Sequence, residues 1–86
     1  MTIQEELQER FSKLEQLRDE LRVQIDLGKR EVGDRWHAME EDYKNLETKM
    51  KRLRDLSGEE AEKLRVEARQ LAQTVRESFD RIREEL

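Results

Sequence analysis

Large apolar residues fall at alternating steps of three and four along the middle of the chain: Trp36, Met39, Tyr43, Leu46, Met50 and Leu53. That spacing returns to one face of an α-helix every two turns and is the pattern of a seam packed against another helix. Upstream the stripe runs through Ile3, Leu7, Phe11, Leu14, Leu17, Leu21, Ile25 and Val32, with imperfect steps at Arg18 and Gly28. Downstream it resumes as Ala61, Leu64, Ala68, Leu71, Val75, Phe79, Ile82 and Leu86. The predicted fold class is therefore all-α.

The clear break in the stripe is Leu56-Ser57-Gly58-Glu59-Glu60. Ser57 and Glu60 have capping-box spacing, in which the hydroxyl and the carboxylate each accept from a free backbone N–H at the start of a helix. Lys49, Lys51, Arg52 and Arg54 precede the break and Glu59, Glu60 and Glu62 follow it, each sign where the helix dipole favours it. A short connection makes the two helices antiparallel neighbours. The pattern thus predicts a single coiled-coil domain: a helix over about 3–56, a turn at 57–58 and a helix over about 59–86, forming an antiparallel helical hairpin.

Gly28 and Gly33 allow another reading, with a second turn there, Asp34 as a helix cap and three helices in an up-down-up bundle. The apolar rhythm nevertheless passes through Ile25, position 28, Val32 and Trp36 in consecutive steps of four, a stutter that a continuous helix tolerates. Each internal glycine costs such a helix only about 1 kcal/mol relative to alanine. The continuous first helix is the favoured expectation.

A reversal at Ser57-Gly58 pairs residues whose numbers sum to about 114 or 115. The hairpin core is then Val32, Trp36, Met39, Tyr43, Leu46, Met50 and Leu53 against Ala61, Leu64, Ala68, Leu71, Val75, Phe79 and Ile82. The second arm ends opposite Gly28, so residues 3–27 overhang by roughly 36 Å at 1.5 Å per residue. Ile3, Leu7, Phe11, Leu14, Leu17, Leu21 and Ile25 line one face of that overhang, more apolar surface than a monomer leaves in water. They are the expected interface of a homodimer whose hairpins combine into a four-helix bundle.

The stretch Leu21-Arg22-Val23-Gln24-Ile25-Asp26-Leu27-Gly28-Lys29-Arg30-Glu31, with Asp34-Arg35-Trp36 and the ending Arg81-Ile82-Arg83-Glu84-Glu85-Leu86, resembles a group of short bacterial coiled-coil proteins with no characterised activity. The resemblance covers about half the chain through motifs shared by many amphipathic helices. It implies a continuous helix across Gly28–Gly33 and offers no catalytic residues to carry over.

Composition narrows the function classes. Apolar residues make up 34% and charged residues 47% of the 86 positions, with no proline, as in long helices and coiled coils. Low hydrophobicity with many charges is also the signature of disorder, and the helical period decides against it. Eighteen Lys and Arg oppose 22 Asp and Glu, a net charge of −4 with the signs interleaved, so nucleic acid is not an expected partner. With no cysteine, the chain offers no disulfide, thiolate metal site or thiol nucleophile. The acidic segment Met1–Arg10 does not read as a secretory signal, and a cytoplasmic location is expected.

Candidate chemistry is sparse. His37, the lone histidine, lies near Asp34, Glu40 and Glu41. A carboxylate-bridged di-metal bundle needs paired Glu-x-x-His motifs with further carboxylates, so no metal ligand is assigned and His37 reads as a solvated flank position. Trp36, Tyr43 and Phe79 read as core, and Ser12, Ser57 and Ser78 lack a base to activate them. The run Lys49–Arg54 reads as dipole complement. No catalytic residue and no cofactor is expected. The expected function is non-enzymatic self-association and protein interaction or scaffolding, with an unidentified protein partner. The alternative is an amphipathic lipid- or membrane-surface protein, which the narrow stripe and mixed flanking charge disfavour.

Overall fold

The computed structural model describes residues 2–26 and 30–85 and, within them, all side chains but those of Asp26, Arg30 and Glu31. Three helices pack together: α1 (Ile3–Asp26), α2 (Arg30–Leu53) and α3 (Gly58–Glu85). None of the described residues is in a strand.

The continuous helix expected over 3–56 is not what forms. Such a helix would be roughly 80 Å long at 1.5 Å per residue, whereas the longest axis of the molecule is 45 Å. Phe11 and Tyr43, which a straight helix would hold far apart, stack with ring centroids 5.4 Å from each other. The chain has therefore reversed between Asp26 and Arg30. The expected seam position at Gly28 and most of the proposed turn's first half lie outside the described residues. Gly33 and Asp34 sit inside α2, so Asp34 caps no helix.

Directions follow from the cross-helix pairs. Trp36 meets Phe79 at 6.4 Å between ring centroids, and Lys49 pairs with Glu67 at 3.3 Å. Numbers fall on α3 as they rise on α2, so these two helices run oppositely. Phe11 with Tyr43 and Arg18 with Glu40 give the same opposition between α1 and α2. By contrast, Leu7 lies at the level of Arg69 and Leu14 at that of Ala72 and Arg76, so α1 and α3 are parallel. This is the up-down-up arrangement.

One apolar core runs the length of the bundle. Leu7, Leu14 and Leu21, spaced by seven residues, are only 2–3% exposed and enter the same core as Trp36, Met39, Tyr43, Leu46, Val75, Phe79 and Ile82. Phe11, Leu17 and Ile25 pack partly buried against it, while Ile3 remains half exposed at the end of the helix. The ridge expected at a homodimer interface is thus largely buried within one chain, Ile3 excepted. A reversal of the chain lays it into the groove of α2 and α3, and the surface thought to need a partner is covered within one molecule. Val32, Met50, Leu53, Ala61, Leu64, Ala68 and Ala72 complete the core, and Leu71 is half buried. Ala61, Ala68 and Ala72 of α3 are buried in this core, and small residues at such positions let helices approach closely.

Helix ends reveal two further differences. At α1, Thr2 Oγ1 accepts from the Glu5 N–H at 3.2 Å. Thr2 and Glu5 thus supply the serine-or-threonine to glutamate spacing of a helix start. At α3, no hydrogen bond joins Ser57 to Glu60 among the described residues, so the expected capping box does not form. A box requires the residue after the cap to be already right-handed helical, and Gly58 has φ of 67°. The last turn of α2 is instead closed by i→i+3 bonds, Arg54 N–H to Lys51 O and Asp55 N–H to Arg52 O, and Gly58 turns the chain into α3.

The two glycines within helices α2 and α3 predict opposite responses to alanine. A Cβ at Gly33 would meet no atom within 4 Å and its backbone is ordinary helix, so Gly33→Ala should raise stability by about 0.5–1 kcal/mol. A Cβ at Gly58 has equal room but sits on left-handed backbone, so Gly58→Ala should lower it by about 1–2 kcal/mol. Urea denaturation of both variants measures the two signs.

Candidate functional site

Among the described residues the buried core contains no polar or charged residue, and the polar groups that meet across helices lie on the seams. On the α1/α2 seam, Tyr43 projects from α2 and touches two α1 residues that lie two turns apart. Phe11 stacks on it at 5.4 Å with rings 19° from parallel, and the Arg18 guanidinium carbon lies 4.8 Å from its ring centroid. Arg18 Nη2 also donates to Glu40 Oε1 at 3.1 Å. Its Nε is buried without a hydrogen-bond partner. Because a guanidinium can face an aromatic ring while bonding a carboxylate at its edge, this cluster fixes the register of α1 on α2.

The environment of Tyr43 perturbs its ionisation. Burial pushes the phenol up to about 12; Glu15, Glu47 and Asp19 add to the shift, and the Arg18 charge opposes it. The group is set for packing, since burial keeps its neutral form.

The seams differ in electrostatics. Lys49 and Glu67 bridge α2 and α3 at 3.3 Å, and Arg35 pairs with Glu85 on the same seam. Arg18 and Glu40 bridge α1 and α2. Among the described residues no ion pair crosses from α1 to α3. There an open groove is lined by Arg10, Lys13, Leu14, Ala72, Gln73 and Arg76, continuing to Arg69, Leu7, Glu6 and Glu9. A second shallow groove, between α2 and α3, is lined by Arg35, Ala38, Met39, Asp42, Ser78, Arg81 and Ile82.

The structure does not bring the sequence's other candidates together. His37 is exposed, and no group of three or more His, Cys, Asp or Glu is arranged to hold a metal among the described residues. Trp36 and Phe79 are core residues in mutual contact. Within the described residues, no helix is long and apolar enough to cross a membrane. Sequence reasoning missed the Arg18 cluster because it treated Arg18 as a lapse in the stripe. The signal was a cation at a seam position, which needs a carboxylate and an aromatic opposite.

Comparison with protein-family models, with curated proteins and with solved structures gives no match.

Tyr43 provides a direct check of this seam. Absorbance titration should place its ionisation near pH 12, against about 10 for free tyrosine. Between those values the unfolded chain has lost a proton that the folded one retains, so stability falls with rising pH across this window and is independent of Tyr43 below it. Glu40→Gln, which frees Arg18 to act on the phenol alone, should shift the titration downward.

Proposed function

We propose that the chain is a non-enzymatic protein-interaction module: a closed three-helix bundle that meets its partner through charged helix surface. The observation that carries this reading is the distribution of apolar side chains. The ridges that the sequence presents all turn into one core, and the large hydrophobics left exposed among the described residues are Ile3, Val23 and Val66. Isolated apolar residues of this kind are ordinary on soluble surfaces and make no patch. What remains for recognition is charge, on a chain in which charged residues are 47% of the total.

This reading changes the partner expected from sequence. Self-association followed from an uncovered ridge, and the ridge is covered by α2 and α3. The lipid alternative requires the bundle to open, which exposes the whole core at once. Neither is supported by a free apolar face.

Sedimentation equilibrium at tens of micromolar should therefore give a monomer with full helical content; a stable dimer would restore the self-association reading. Affinity capture from native lysate should retain a protein at low ionic strength and release it at high, because contacts between exposed charges are screened by salt. Retention of nothing at either salt overturns the interaction reading. Anionic vesicles should leave Trp36 fluorescence unchanged, and a blue shift with co-sedimentation would favour lipid instead.

A further inference from the structure

The three seams of the bundle are not charged alike. Two are crossed by opposite charges: Arg18 with Glu40, and Lys49 with Glu67 together with Arg35 and Glu85. The third, between α1 and α3, is flanked by cations on both helices. Arg10 and Lys13 stand on α1, with Arg69 and Arg76 on α3. The central stretch of this groove holds Arg10, Lys13 and Arg76 and no acid. Its one glutamine, Gln73, donates to Glu77 on its own helix, and Arg76 pairs with Asp80 in the same way. Like charges across a helix seam oppose packing, and complementary ones would stabilise it. On a chain of net charge −4, a basic seam is therefore a local departure from what the fold alone favours.

We infer that the α1/α3 groove is the docking surface for an acidic segment of a protein partner, whose carboxylates bridge Arg10 and Lys13 on one helix to Arg69 and Arg76 on the other. This rests on the interaction-module reading and names its surface. Charge complementarity and length argue for the occupant. Arg69 to Arg76 spans roughly 10 Å at 1.5 Å per residue. Glu6 and Glu9 close the groove at one end, while Glu77 and Asp80 stand beside its other end. A patch this short, bracketed by acids, suits two or three carboxylates spaced over two helical turns and repels a long polyanion. No aromatic side chain lines the groove to stack a base, which single-stranded nucleic acid recognition uses. Arginine is suited to the task because its planar fork takes a carboxylate through two N–H bonds.

The test uses the full chain and an acetylated, amidated alanine-based helical peptide carrying glutamates at i, i+4 and i+7. Amide NMR shifts should cluster at Arg10, Lys13, Arg69, Gln73 and Arg76. Binding should weaken at least tenfold in the Arg10→Glu/Arg69→Glu variant and stay unchanged in Lys51→Glu/Arg52→Glu, which alters the basic end of α2. Raising ionic strength from about 0.01 M to about 1 M, where the screening length shrinks from about 30 to about 3 Å, should abolish it. The neutral pair Arg10→Gln/Arg69→Gln, which sets no new carboxylate beside Glu6 and Glu9, should also weaken binding while melting close to the wild type, which separates lost binding from lost fold. Shifts centred on Lys51–Arg54, equal binding by the double reversal, or tighter binding of inorganic tripolyphosphate than of the peptide would each overturn the assignment. If lysate capture succeeds and is indifferent to Arg10→Glu/Arg69→Glu, the interaction module stands and this groove is not its surface.

Discussion

The insertion of Leu7, Leu14 and Leu21 into the groove between α2 and α3 is the contact on which the rest of the molecule depends. Two helices of this length have a thin core, because each buries one stripe and leaves its flanks in water. Helix α1 adds its leucines to the cluster that holds Trp36, Tyr43, Val75 and Phe79, all no more than 6% exposed. Strict seven-residue spacing suits this role, since three leucines on one line contact the groove over most of a helix without supercoiling by more than a slight drift. Each leucine contributes on the order of 2 kcal/mol by leaving water, a large share of the marginal stability of a small domain.

Apolar burial of this kind is non-directional and would tolerate a slide of α1 by one turn. The Phe11, Arg18, Tyr43 and Glu40 cluster supplies the direction. A guanidinium that faces a ring and bonds a carboxylate has a single suitable position along the opposing helix. Its Nε lacks a partner, so the cluster trades some hydrogen-bonding potential for register. Polar specificity beside an apolar core is a common division of labour in helical bundles. Here it falls on the α1/α2 seam, the narrower of the two contacts that α1 makes.

Much of this was legible in the sequence. The alternation of three and four steps identifies helices, and the positions it marks on α2 and α3 include Met39, Leu46, Val75 and Phe79, each no more than 1% exposed. The reversal after Asp26 was legible only as the less favoured alternative that Gly28 and Gly33 allow, for a physical reason. A short connection can preserve the phase of an apolar stripe, so Ile25, Val32 and Trp36 read alike whether the helix continues or folds back. Periodicity reports which face is apolar and carries no information on which molecule covers it. The Gly58 turn was legible in place but not in mechanism, because the capping pattern at Ser57 and Glu60 gives no hint that the glycine between them is left-handed. The basic α1/α3 groove depends on residues distant in sequence and becomes visible only once α1 lies beside α3.

Closure within one chain is thus the premise for every functional statement about this protein, because it decides whether the apolar ridge or the charged exterior is offered to others. The chain has no cysteine, so nitroxide labels can be placed uniquely at Gln8→Cys and Asn45→Cys, both exposed sites at neighbouring levels of α1 and α2. Pulsed electron paramagnetic resonance on doubly labelled chain, diluted with excess unlabelled protein, measures the distance within a single molecule. A closed bundle gives a short distance, set by an interhelical spacing of about 8–10 Å plus the label arms, that persists on dilution. A dominant distance of roughly 55 Å, that of a straight helix at 1.5 Å per residue, or a short one that vanishes on dilution, would contradict it.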